Sequence, residues 1–169
     1  MSKRTKPAKP APKTLTDKEI EARDTTALNG IERMDDPTRL RNLIANATRM
    51  ERPVVRDAAF RRLAAVQSDA VEGTVEDALW QAIHAVEEVK RERSGKTIRL
   101  SYLRRDIEKL GIVPAIDKLV SKPGPSERYD ELTARGMPEL TAEAVVLRFA
   151  DEFSEDAVAR SRERLGDPA

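Results

Sequence analysis

Seven cations fall between Lys90 and Arg105: Lys90, Arg91, Arg93, Lys96, Arg99, Arg104 and Arg105. Glu92 is the one acid among them. Density of that kind suits the phosphate backbone of a nucleic acid, which gives sequence-independent affinity through release of condensed counterions. Tyr102, in the same run, has a ring that can stack on a base. A second cationic run opens the chain. The stretch MSKRTKPAKPAPK carries Lys3, Arg4, Lys6, Lys9 and Lys13 and no acid. Its Lys-Pro-Ala spacing cannot build a core, so residues 1–14 read as a disordered basic tail that would act by charge alone. The 90–105 run also has a structural reading. Its first cations stand in the last turns of a helix, where the helix dipole favours them. Glu87 and Glu88 lie one turn before Arg91 and can pair with it.

Other candidate chemistry is thinner. His84 is the only histidine, and Glu87 and Glu88 follow it on one helix face. A di-metal carboxylate bundle would need a second Glu-x-x-His element, so His84 is expected at the surface or its boundary, with no metal. The carboxylate pairs Asp35–Asp36, Asp151–Glu152 and Glu155–Asp156 stand at helix starts and loops, where acids complement the dipole. General acid–base work instead needs a carboxyl in an apolar site. No phosphate-cradling glycine loop and no G-x-S-x-G is present. With zero cysteines, disulfides, thiolate zinc sites and cysteine nucleophiles are excluded. No cofactor is implied, and the chain reads as non-enzymatic. Residues 102–120 have the outline of a helix–turn–helix. Asp117, however, falls where an apolar contact between the two helices is expected, and 115–120 offers a single cation, so a plain structural hairpin is preferred.

These residues need a scaffold, and composition points to helix. Charged residues make up 36% and apolar residues 39%, so narrow buried stripes with wide solvated faces are expected. Alanine, leucine, glutamate and arginine recur, and glycine is scarce. Removing the five tail cations leaves 26 against 30 acids, a body of about −4. No apolar run is long enough to span a bilayer, and the basic N-terminus lacks the apolar core of a secretory signal. The expectation is a cytoplasmic protein without membrane contact, and the arginine-rich balance suggests a bacterial source.

Helix signals recur along the chain. Thr16 and Glu19 form a capping box, although Asp24, Thr25 and Thr26 weaken the middle of the helix they start. Asp36 and Pro37 open the next helix, which ends before Pro53. A third helix follows Pro53, with Phe60 in its core. Thr74 opens the longest helix, carrying the core residue Trp80 and ending at Gly95. Ser101, Ser126, Thr141 and Ser154 are expected caps of later helices, and Pro114 is expected to open another. Only residues 96–100 resemble a strand. The reading is an all-α irregular bundle of about eight or nine short helices spanning 15–169, with any subdivision near 94–100. Two functions follow. One is a nucleic-acid-associated protein gripping phosphate through the 90–105 patch and the tail. The other is a protein-interaction adaptor with no nucleic-acid binding. The acidic body counts against the first and the lack of an exposed apolar stripe against the second. The first is preferred.

Overall fold

Helix ends fall where side chains can satisfy the free backbone groups. The computed structural model describes residues 16–166; the tail and its expected disorder lie outside the described residues. Helix α1 (Asp17–Ile31) starts at Thr16, whose hydroxyl accepts from the Glu19 N–H while the Glu19 carboxylate accepts from the Thr16 N–H. Asp36 caps α2 (Pro37–Arg49) by accepting from the N–H groups of Thr38 and Arg39. Pro37 and Pro53 open α2 and α3 (Pro53–Val66), at positions where no N–H is required. Thr74 caps α4 (Val75–Ser94), and Gly95 ends it in the left-handed region at φ 68°. Ser126, Thr141 and Ser154 hydroxyls cap α7 (Glu127–Ala134), α8 (Ala142–Arg148) and α9 (Glu155–Leu165).

Three local expectations change. The Asp24–Thr26 segment does not weaken α1 enough to break it. The hydroxyls of Thr25 and Thr26 donate one turn back, to the carbonyls of Glu21 and Ala22. Ser101 does not cap α5 (Ser101–Leu110). It lies inside the helix, and Leu100 takes the cap position, its N–H donating to a Glu87 carboxylate oxygen at 2.9 Å. Pro114 does not open α6 (Ile112–Val120). It sits in that helix's first turn, where its missing N–H breaks no intrahelical bond. Residues 96–100 are irregular, and the described residues contain no strand. Two 3-10 turns, Pro138–Leu140 and Ala150–Glu152, join the last helices.

The nine α-helices of the described residues form an all-α bundle around α4. One side of the bundle is built by α2 packed on α3, with α1 laid on α3. α4 packs against α3 on that side and against α6, α7 and α8 on the other. This explains why α4 is buried almost all round, from Asp77 to Glu88, although its sequence reads as amphipathic. Phe60, Leu40, Leu63 and Leu79 are fully buried on the first side; Ile116, Val120, Leu132 and Val146 are fully buried on the second. Each contributes roughly 1.5–3 kcal/mol of transfer free energy. No helix among the described residues is long and apolar enough to cross a membrane.

Candidate functional site

Arg104 and Arg99 converge on one buried carboxylate. Glu87 is enclosed because α4 is central, with only 6% of its side chain exposed. Arg104 donates to both its oxygens through Nε and Nη2, each at 2.8 Å, and Arg99 adds a third bond at 3.1 Å. With the Leu100 N–H, four donors meet this single group. Burial alone would push the Glu87 carboxyl up. The neighbouring His84 imidazole, Arg104 and the Leu100 N–H override it and hold the group well below the usual carboxylate range. Arg104 also lies over the Trp80 ring, 5.0 Å from its centre, and the Trp80 and His84 rings stack at 5.9 Å. The guanidinium is therefore clamped on a face and on an edge. A cleft of about 440 Å³ opens beside it, with Arg99 and Arg104 on one part of its wall and Asp69 and Glu76 on another.

The other cations of the 90–105 run divide. Lys90 and Arg93 reach α7, where both donate to Glu131 Oε1, at 3.3 and 2.7 Å, and both approach Glu127. Arg91 does not pair with Glu87 or Glu88. It donates to the Thr97 hydroxyl at 2.8 Å, while Glu88 is taken by Arg41 of α2. Lys96 and Arg105 are exposed, and neither has a carboxylate at ion-pair distance among the described residues. Arg105 instead lies over the Tyr102 ring, 5.4 Å from its centre, and Tyr102 is 80% exposed. The seven cations thus do not share a single face. Residues 104 and 105 point about 100° apart round α5, Arg104 inward to α4 and Arg105 outward beside Tyr102. Lys3, Arg4, Lys6, Lys9 and Lys13 lie outside the described residues.

The outward side of α5 carries cations that the sequence reading missed. A groove of about 140 Å³ between α5, α6 and α7 is bordered by Tyr102, Asp106, Lys118, Lys122 and Arg128, over a floor of Leu103, Ala115 and Leu119. Lys118 lies 3.9 Å from Asp106. Among the described residues Lys122 and Arg128 have no carboxylate at ion-pair distance, and the Arg128 Nε is buried without a hydrogen-bond partner. Because Lys118, Lys122 and Arg128 belong to a helix, a loop and another helix, no run in the sequence marks them. The helix–turn–helix outline resolves as a hairpin packed into the bundle. Gly111 joins α5 and α6 at φ 89°, and α6 touches α4, α5, α8 and α9. Asp117, which looked misplaced for an apolar contact, accepts from the Ser154 N–H at 2.6 Å and hydroxyl at 2.9 Å, fixing the start of α9.

His84 is buried rather than at the boundary, because α4 lies at the centre. Its Nδ1 is 3.6 Å from Glu87 Oε2, beyond a hydrogen bond. No group of three His, Asp or Glu among the described residues is placed to hold a metal ion. Trp80 is half-buried and Phe60 fully buried, with the Arg135 guanidinium 4.0 Å from the Phe60 ring centre. The carboxylate pairs serve helix ends and ion pairs: Asp36 caps α2, Asp35 pairs with Arg62, and Glu155 and Asp156 stand in the first turn of α9. No protein-family model, no curated protein and no solved structure matches the chain.

Proposed function

We propose that this chain is a non-enzymatic helical protein that associates with nucleic acid through phosphate contacts. The working cations are those that the fold leaves without an acid, Arg91, Lys96 and Arg105, together with the five tail cations. The observation that carries the reading is the outward face of α5, where Arg105, without a carboxylate partner, lies on the exposed Tyr102 ring. Backbone contacts of this kind give affinity with little sequence preference. One specific observation favours the adaptor reading instead. Lys90, Arg93, Arg99 and Arg104 are all held by buried acids, so most of the sequence patch presents little net charge to a partner.

Titration of the full chain against a labelled duplex and a labelled single strand, at low and at moderate salt, tests the proposal. Affinity falls linearly in log–log form as salt rises, with a slope near −0.9 for each phosphate neutralised on a duplex. Changing Arg91, Lys96 and Arg105 together to glutamine lowers the magnitude of that slope by about 2–3. Changing the four tail lysines and Arg4 to glutamine lowers it further. Absence of binding to either probe at low salt overturns the proposal and leaves the adaptor reading.

A further inference from the structure

Three grooves in the surface invite a ligand. The cleft beside Trp80 and His84 is balanced, with two arginines facing two acids, and one of those arginines is clamped by Glu87. The open groove between α2 and the end of α4 is likewise lined by both signs, Arg41 and Arg91 with Glu88 and Glu92. The groove between α5, α6 and α7 differs from both. It has three cations and one acid, and two of those cations, Lys122 and Arg128, have no carboxylate at ion-pair distance among the described residues.

We infer that this third groove is a binding site for single-stranded nucleic acid, with the phosphate backbone on Lys118, Lys122 and Arg128 and a base stacked on Tyr102. The inference rests on the proposed function and names its substrate class. The charge argument is local. Among the described residues Asp106 is the only acid on the groove wall, and Lys118 lies close to it. The acid nearest in sequence to Arg128, Glu127, is turned toward Lys90 at 3.2 Å. Asp117 is occupied by Ser154. A partly buried guanidinium with an unbonded Nε therefore borders the groove together with two exposed ammonium groups, an arrangement suited to an anion.

The aromatic wall selects the form of nucleic acid. Burying a tyrosine ring is favourable, yet Tyr102 stands 80% exposed with Arg105 over it. In a duplex the bases already stack on one another and offer no free face. In a single strand they do, and stacking on an aromatic side chain strengthens binding substantially. Lys109, seven residues after Tyr102 and so on the same side of α5, continues the cationic edge.

The deciding experiment measures fluorescence anisotropy of labelled oligo-dT of about 15 nucleotides and of a duplex hairpin, with the full chain at low salt. The expected results are tighter binding to oligo-dT than to the hairpin and a loss of about 5- to 100-fold for oligo-dT in Tyr102→Ala. Tyr102→Phe should retain affinity. Lys122→Gln with Arg128→Gln should lower the magnitude of the salt slope by about 1–1.5. Tyr102 and Lys122 are exposed, so their variants fold; thermal melting confirms this for Arg128→Gln. If Tyr102→Ala leaves oligo-dT affinity unchanged, or the hairpin binds as tightly, the groove assignment is overturned. Salt-dependent binding that is insensitive to Tyr102, Lys122 and Arg128 but weakened by Arg91→Gln and Lys96→Gln overturns the groove alone and leaves the proposed function standing. No binding of either probe overturns both.

Discussion

The two sides of α5 put the same residue types to opposite uses. On the inner side, Arg104 gives two of its donors to Glu87 and its face to Trp80, so the cation is used in holding α5 against α4. On the outer side, Arg105 meets only the Tyr102 ring, and Lys118, Lys122 and Arg128 line a groove with a single acid. α5 makes its main backbone contacts with α6, and its start is tied to the central helix by Glu87 and by the buried Leu100 and Leu103. The lesson is electrostatic. A dense cationic run predicts surface potential only after subtracting the acids that the fold brings to it, and a sparse set of cations can carry more field if nothing opposes it.

The sharpest way to break the contrast is to remove the acid. Glu87→Ala leaves Arg104, Arg99 and the Leu100 N–H without their acceptor. Loss of one partner from a buried pair costs about 3–5 kcal/mol. Arg99 is 57% exposed and can turn to water, so a value near the lower end, about 3 kcal/mol, is expected in urea unfolding. If the variant unfolds at the same urea concentration as the native chain, the inner cluster is not what positions α5.

Acid titration sharpens the same point with a smaller effect. The Glu87 carboxyl titrates well below its unfolded-state range, so in mildly acidic solution the unfolded chain binds the proton first. Its stabilisation is therefore complete above the ordinary glutamate value, near about 4.3, and is lost as pH falls below that value toward the folded one. Compared with Glu87→Gln, the native chain should hold its full advantage at pH 6 and lose it steadily below about pH 4.5. A gap between the two that stays constant down to pH 3 would show that folding does not lower the Glu87 pKa as inferred.

A paired substitution then tests the two sides directly. Arg104→Ala should cost about 2–3 kcal/mol of stability, because the buried Glu87 carboxylate would keep only Arg99 and the Leu100 N–H. Arg105→Ala should cost less than about 0.5 kcal/mol, as an exposed residue with no acid partner. Polyanion affinity should respond in the opposite order, falling for Arg105→Ala and changing little for Arg104→Ala in protein that remains folded. Equal effects on both readouts would erase the distinction between inner and outer faces.

Much of the helical scaffold was legible because its signals are local. Thr16 with Glu19, Asp36 with Pro37, Thr74, Gly95, Ser126, Thr141 and Ser154 act within a turn of themselves, and each does in the structure what its spacing implies. The failures are non-local. Ser101 looks like a cap until Glu87, fourteen residues earlier on a buried helix, takes the Leu100 N–H and sets α5 one residue sooner. Asp117 looks out of place until Ser154 arrives from another helix. His84 reads as a surface or boundary residue because one helix face cannot reveal that α4 has α3 on one side and α6, α7 and α8 on the other. The candidate site divides the same way. Tyr102 and Arg105 are found by composition alone, whereas the acids that neutralise Lys90, Arg93, Arg99 and Arg104 come from tertiary packing. So do the cations of the groove, which no run announces.

The smallest effect concerns the pair at α7, where the contrast can be drawn within one carboxylate. Lys90 and Arg93 both donate to Glu131 Oε1, but Lys90 is largely enclosed and Arg93 is 63% exposed. Exposed ion pairs contribute about 0.2–1 kcal/mol and are screened by salt, because water solvates each charge nearly as well as its partner does. Arg93→Ala should therefore lower stability by less than about 1 kcal/mol, with most of that difference gone at high salt. Lys90→Ala should cost more and depend less on salt, since Glu131 would keep a buried oxygen with only the solvent-facing Arg93 for company. If the two substitutions prove equal in size and in salt dependence, burial is not what ranks the cations of this run, and Arg93 regains its standing as a residue spent on packing rather than free to meet a partner.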